Sequence, residues 1–341
     1  MTARFQIALV ASMLAAGVAY SAPAKADAVA DFYKDKQVRF IVPTETGGGY
    51  DLYMRTLVQY MPSHMPGHPT AVIVNMAGAG GVKATNYAYN AAARDGTVVF
   101  MPFFNHPLFQ LIKPEGIRFD VRKMPWLGNM AELNSVVAVM ATSPIKTIED
   151  AKKHEVILAA SAKGSETYFY PQLANALLGT RFKMVMGYPG TAAMSVAMER
   201  GEVQGRGGAW ETWPATRPEW VKEGKIRVLI QAGLRRDPDL KDVPLITELA
   251  ADADKPLARL ISSAVVTARM VGMPPAVPED RVKALRQAFD ATMKDPAFQA
   301  DAKRRKMTLQ VMTGEQVEAL IADLFKTPPD VVARAKKTLG Y

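Results

Sequence analysis

The sequence predicts an α/β protein built as two lobes. Short apolar, strand-like runs alternate with stretches of helical periodicity, the pattern of layered α/β folds with mostly parallel sheets. The chain has 341 residues, 49% of them apolar, a length that suggests two domains rather than one core. No Ser/Gly-rich linker divides it and no internal repeat is visible. Two domains without a linker imply strands that cross between them.

The N-terminus stands apart from that fold. Arg4 supplies a positive start, residues 7–18 an apolar segment, and Ala24-Lys25-Ala26 a small-x-small site. This is the pattern of a cleaved secretory signal peptide over residues 1–26, with a soluble mature chain from Asp27. The apolar segment is shorter than the roughly 20 residues of a membrane span. Cleavage would remove Arg4 and Lys25 and no acid, taking the net charge from +9 to +7. The basic residues are scattered, and the run Lys303-Arg304-Arg305-Lys306 reads as a solvated helix face. Without a basic stripe or interleaved aromatics, nucleic acid is not an expected partner. The charge favours small anionic ligands. Cysteine is absent, which excludes disulfides, thiolate nucleophiles and Cys-based metal sites.

The elements follow in order. Residues 38–42, 71–74 and 97–101 read as strands. After the first, Met54, Leu57, Val58 and Met61 fall at i, i+3, i+4 and i+7, one face of a helix. Residues 136–141, 156–160, 183–186 and 227–231 read as buried strands with helical segments between most of them. Near the C-terminus Val317, Leu320, Ile321 and Leu324 repeat the helical spacing, and Pro328-Pro329 opens another helix.

In such sheets ligands sit at the carboxyl ends of strands, where loops meet helix N-termini. Glycines and hydroxyls gather there in this sequence. The first loop is Thr44-Glu45-Thr46-Gly47-Gly48-Gly49-Tyr50-Asp51. Its glycines reach backbone angles closed to other residues, so successive N–H groups can converge on an anion at the helix N-terminus. The other reading is a plain tight turn. Asp51, at the helix start, can accept backbone N–H bonds and shape the loop while facing away from a ligand. Glu45 either faces solvent at the rim or faces the cleft and accepts a hydrogen bond from the ligand.

Gly78-Ala79-Gly80-Gly81 is a second glycine turn. The third glycine of a dinucleotide fingerprint would fall on Lys83, so an anion-facing turn is the better reading. In Ser161-Ala162-Lys163-Gly164-Ser165-Glu166-Thr167, Ser165 or Thr167 caps a helix, with or without amides facing a ligand. Gly187-Tyr188-Pro189-Gly190-Thr191 is a fourth strand-to-helix loop. In residues 205–213, Gly207-Gly208 lead to Trp210 and Trp213, which are either core or the apolar wall of a cleft. His64, His68, His106 and His154 form no HExxH, and Pro66-Gly67 spoil a helical pairing of the first two. There is no GxSxG elbow and no Walker loop. Binding loops are plentiful and catalytic constellations are not, so no metal or cofactor is expected.

In this order, the loops resemble those of the periplasmic receptors of tripartite tricarboxylate transporters, the Bug family. The matching residues are Val38-Arg39-Phe40-Ile41-Val42-Pro43, Gly48-Gly49-Tyr50-Asp51, Asn75, Ala77-Gly78-Ala79-Gly80-Gly81 and Asp95-Gly96. Further along come Gly164-Ser165, Tyr188-Pro189-Gly190-Thr191, Gly201-Glu202-Val203 and Pro238-Asp239-Leu240-Lys241-Asp242-Val243-Pro244. The resemblance implies a two-lobed periplasmic-binding-protein-like fold (a Venus flytrap). Residues 27–137 and 268–341 would form one lobe and 138–267 the other. It implies a non-enzymatic periplasmic receptor, monomeric, that closes on a small carboxylate and delivers it to membrane transporter subunits. Amides of Gly47, Gly48 and Gly49 and of residues 164–167 would hold the ligand. Three departures bear on which ligand: Thr44-Glu45-Thr46 before the glycines, Val203-Gln204, and Gly207-Gly208-Ala209-Trp210. The rival expectations are a receptor that serves a membrane sensor, and an exported enzyme using Asp51 or Glu45 with a tyrosine.

Overall fold

In the computed structural model, which describes residues 25–112 and 115–339, the chain builds two mixed sheets covered by helices. The expected signal peptide lies, up to residue 24, outside the described residues. Among the described residues no helix is long and apolar enough to cross a membrane.

The first sheet is built on β1 (Gln37–Val42), β2 (Thr70–Asn75), β3 (Val98–Phe100) and β4 (Trp126–Asn129), joined late in the chain by β10 (Met270–Gly272) and β11 (Met312–Thr313). Their order is β11-β4-β10-β3-β1-β2. β1 pairs in parallel with β2 and β3, in the registers Gln37↔Thr70 and Arg39↔Val98. Alternation decides its two faces. Val38, Phe40 and Val42 join the core under Met54 and Leu57 of the helix Gly49–His64. Ile41 meets Ala84 and Ala88 of the helix Val82–Asn90 on the other face. Burying a side chain such as Leu57 contributes about 1.5–3 kcal/mol.

The second sheet contains β5 (Ser135–Met140), β6 (Val156–Ala159), β7 (Phe182–Val185), β8 (Gly205–Ala209) and β9 (Ile226–Ala232), in the order β7-β6-β8-β5-β9. β5 again divides its side chains. Val137 and Val139 pack with Phe169 and Leu173 of the helix Glu166–Leu178, whereas Val136 and Ala138 pack with Met194 and Trp213.

Neither sheet is mostly parallel, contrary to the expectation from alternation. β10 and β11 return antiparallel into the first sheet, and β5 runs antiparallel to both β8 and β9. β4, β8, β10 and β11 escaped the sequence reading because they are two to five residues long or glycine-rich. β8 reads as a loop, yet a Cβ at Gly205 would lie 2.2 Å from the Ala138 carbonyl oxygen and one at Gly207 3.2 Å from Thr167 Cα. Its glycines are set by close packing on both sides. In the helix Gly314–Leu324, Val317 and Ile321 are buried but Leu320 is 42% exposed, so its apolar face is narrower than the spacing suggests.

The chain passes between the sheets at residues 130–134 and again before β10. The two passages run side by side: Met130 N–H donates to the Arg269 carbonyl (3.1 Å) and Leu133 N–H to that of Val265 (3.3 Å). Asn129 ties them together, its amide donating to the Ala131 and Val266 carbonyls and its oxygen accepting from Arg269 N–H. The expected boundary at 137/138 falls inside β5, which lies wholly in the second sheet.

Candidate ligand-binding cleft

The first loop is braced from within by Asp51. Its Oδ2 accepts from Gly47 N–H (3.0 Å) and Arg55 Nε (2.8 Å), and its Oδ1 from the Asn75 amide (2.9 Å). The same Asn75 nitrogen donates to the Thr44 carbonyl, so the end of β2 fixes both ends of the loop. Of the three glycines only Gly47 has a positive φ (+91°); Gly48 has φ −99° and is the N-cap of the helix Gly49–His64. Gly48 and Gly49 are therefore required by space. A Cβ at Gly48 would sit 3.0 Å from Thr191 Oγ1, and one at Gly49 2.4 Å from Thr212 Cγ2, both residues of the second lobe.

The second glycine turn also packs across. Gly80 (φ +60°) leaves a built Cβ 3.0 Å from Ser165 N, and Asn105 donates its amide to the Gly164 carbonyl (2.8 Å). His106 holds this turn, bonding the Gly80 carbonyl through Nε2 and Thr85 Oγ1 through Nδ1. Burial pushes its pKa down to about 4. The neutral tautomer that donates from Nε2 satisfies both contacts.

In the second lobe Ser165 caps the helix Glu166–Leu178 by position, while its hydroxyl bonds the Ala162 carbonyl and Thr167 Oγ1. Thr167 Oγ1 accepts from Ser161 N–H (3.1 Å). Gly190 precedes the helix Thr191–Glu199. Three helix N-termini thus meet at one cavity between the lobes. Of the residues nominated from sequence, Thr44, Gly48, Gly49, Tyr50, Ser161, Ser165, Glu166, Thr167, Gly190 and Thr191 line it. Its free volume is ≈ 30 Å³. An outer, more open space of ≈ 330 Å³ shares Phe103, Ser161 and Pro189 with it and takes in Glu45, Gly80, Gly81 and Tyr188. Glu45 is exposed at this mouth. Thr46, Gly47, Asp51, Gly164 and Trp210 line neither space. Trp210 is buried among Val136, Met194 and Trp213 in the core of the second lobe.

Sequence reasoning missed Phe103, Met194 and Thr212 in the lining, and a buried charge cluster beneath it. Arg206 on β8, Glu211 just after it, Arg269 just before β10, and Glu166 are each at most 4% exposed. Arg269, in the passage before β10, pairs with Glu211 of the second lobe and lies over the rings of Tyr50 (4.3 Å) and Tyr53 (5.0 Å). Arg206 lies 3.7 Å over the Trp213 ring and donates to the Gly207 carbonyl (3.2 Å). Burial pulls the Arg206 pKa down to about 9, against the field of Glu166. Burial pushes Glu166 up to about 7, against Arg269 and Arg206 and reinforced by Glu211. The available signal was an arginine among glycines in a segment too small-sided for a surface loop.

The chain matches the model of the tripartite tricarboxylate transporter family receptor over residues 59–335. It belongs to that family. A Cupriavidus necator relative, the UPF0065 protein in the gbd 5′ region, is 24% identical over 316 residues, covering 91% of this chain and 90% of that protein. Among solved structures, the periplasmic binding protein BugD is 21% identical with TM-score 0.71, covering 90% of this receptor and 98% of BugD. MatC of Rhodopseudomonas palustris with bound malate is 19% identical with TM-score 0.69, covering 89% and 99%. At these identities the structural likeness shows the fold, the two-lobed one of periplasmic binding proteins, while the family model marks the family as one of solute receptors.

Proposed function

We propose that this receptor captures a small carboxylate between its lobes outside the cytoplasmic membrane and delivers it to the membrane subunits of a tripartite transporter. The observation that carries the reading is the convergence of the helices Gly49–His64, Glu166–Leu178 and Thr191–Glu199 on one hydroxyl-lined cavity. First-turn amides have no partner inside their own helix, and the helix dipole favours an anion there. Each hydrogen bond to a charged group contributes roughly 1.5–3 kcal/mol. Two or three of them, with burial of the carbon skeleton, suffice for about micromolar affinity after the cost of association. The lobes already touch around a space of ≈ 30 Å³, so entry of a dicarboxylate requires them to part and close again. The segments 130–134 and 265–269 are the hinge of that motion. The lobes on either side of it are then 27–129 with 270–339, and 135–264. The family description supports delivery to a transporter, and the malate bound to MatC supports the ligand class.

Thermal denaturation against a panel of mono-, di- and tricarboxylates tests the proposal. A ligand at a thousand times its Kd adds about 4 kcal/mol to the native state, a shift of several degrees. A panel in which nothing shifts the midpoint contradicts the reading, as does turnover of a bound ligand.

A further inference from the structure

Among the described residues Glu166 is the one acidic residue lining the inner cavity, and no lysine, arginine or histidine lines it. Its Oε2 is buried without a hydrogen-bond partner. A buried, unpaired carboxylate oxygen on a residue that lines the proposed anion site calls for an explanation. The titratable groups bearing on Glu166 are Arg206 on β8, Glu211 after it, Arg269 before β10, Tyr50 from the helix Gly49–His64 and Tyr170 from its own helix, while the Ala209 N–H donates to its carboxylate. With all four charged residues ionised, two arginines balance two glutamates. A ligand carboxylate brings a third negative charge into a site with little water. Two carboxylates sharing such a site do not both stay ionised. Glu211 is held by its ion pair with Arg269, so Glu166 is the group free to change.

On the reading of the cleft as a carboxylate site, on which this inference rests, we propose that Glu166 contacts the ligand directly and takes up one proton from solvent on capture. The proton adds to Oε2, and the resulting O–H donates to a ligand carboxylate oxygen. The cluster with its ligand is then neutral. Burial already poises the side chain near pH 7, so the uptake falls in the physiological range. Glu166 therefore selects for a carboxylate at the buried end of the ligand and makes capture proton-linked. A ligand presenting an ammonium group there would require the opposite: an ionised Glu166 and tighter binding at higher pH.

Calorimetric titration of the intact protein with malate, or with the tightest-binding carboxylate of the panel above, decides the matter. Malate is fully ionised from pH 6.5 to 8.5, so its own titration does not interfere. With Glu166 changing at about pH 7 in the free protein, Kd should rise about 25-fold over that range. Near pH 8.5, buffers of different ionisation heat should report uptake of close to one proton. Glu166→Gln donates N–H and cannot titrate, so it should bind with an affinity flat across the range. A wild-type affinity that is flat or strengthens with pH overturns the inference, as does a Glu166→Gln variant that keeps the wild-type slope. If Glu166→Gln does not fold, the wild-type proton count decides alone. A panel in which no carboxylate binds at any pH overturns the receptor reading itself, and this inference with it.

Discussion

Gly49→Ala separates closure of the lobes from folding. Gly49 opens a helix and has no positive φ, so alanine there costs no backbone strain and favours the helix by up to about 1 kcal/mol. Across the cleft the effect reverses. The new methyl would lie 2.4 Å from Thr212 Cγ2 and 3.0 Å from Arg269 Nη2. Carbon atoms rest about 3.5–4.0 Å apart, so the first contact is short by roughly 1 Å. Thr212 cannot turn away without losing its 2.7 Å bond to the Ala209 carbonyl. Arg269 is pinned by Glu211 and by the Tyr50 ring. The lobes must therefore part slightly to relieve the overlap. Overpacking of this kind costs about 1–3 kcal/mol. Felt only in the closed state, it weakens ligand binding about 5- to 150-fold. Calorimetry with malate gives the affinity, and thermal denaturation without ligand gives the stability. The expected result is a raised Kd with an unchanged or higher unliganded midpoint. Wild-type affinity in Gly49→Ala, or a matching loss of unliganded stability, would refute the reasoning.

Arg269→Met should destabilise the protein by about 3–5 kcal/mol in urea, because it leaves the buried Glu211 without its cation. Adding Glu211→Leu should recover most of that loss, and failure to recover would show that the arginine acts through packing alone. For Asp51, burial raises the carboxyl pKa but bonds from Arg55, Asn75 and Gly47 outweigh it and hold it below the usual range. That stabilisation is present above about pH 4 and is lost as pH falls. Asp51→Asn should therefore be less stable than wild type at pH 7 and converge with it towards pH 2–3 in acid denaturation. Glu166 has the opposite sign: its folded pKa of about 7 exceeds the ordinary carboxylate value, so wild-type stability falls as pH rises from about 4.5 to 7. Glu166→Gln should gain about 3 kcal/mol on wild type between pH 4.5 and pH 8 in paired denaturation curves. Parallel curves would place Glu166 in water.

The parts of the fold legible in the sequence were those with a strong local signal. The apolar run of β1 and the Met54, Leu57 and Met61 face of the following helix emerge where the spacing puts them. Loops rich in glycine and hydroxyls reported the cleft, because strand ends and helix starts carry that composition wherever amides must converge. β8 was illegible because Gly205 and Gly207 serve tertiary packing, and glycine in a strand looks like a loop. β10 and β11 pair with strands far away in sequence, and three- and two-residue strands carry no periodicity. Arg269 and Glu211 meet only because the passage leading into β10 folds against the segment that follows β8, and their sequence separation hides that. Trp210 shows the limit of proximity in sequence: it follows β8 into the cleft region yet points into the core. Glu45 and Glu166 look alike in the sequence, and only burial separates the exposed acid from the one in the cavity.

A crystal structure of the receptor with the carboxylate selected by the panel tests the central claim most directly. The account predicts a ligand carboxylate between the N-termini of the helices Gly49–His64, Glu166–Leu178 and Thr191–Glu199, within hydrogen-bond reach of Glu166 and with the carbon chain directed toward Glu45 and Tyr188. A ligand bound elsewhere, or one held in the cleft without contact to those three helix starts, would contradict it.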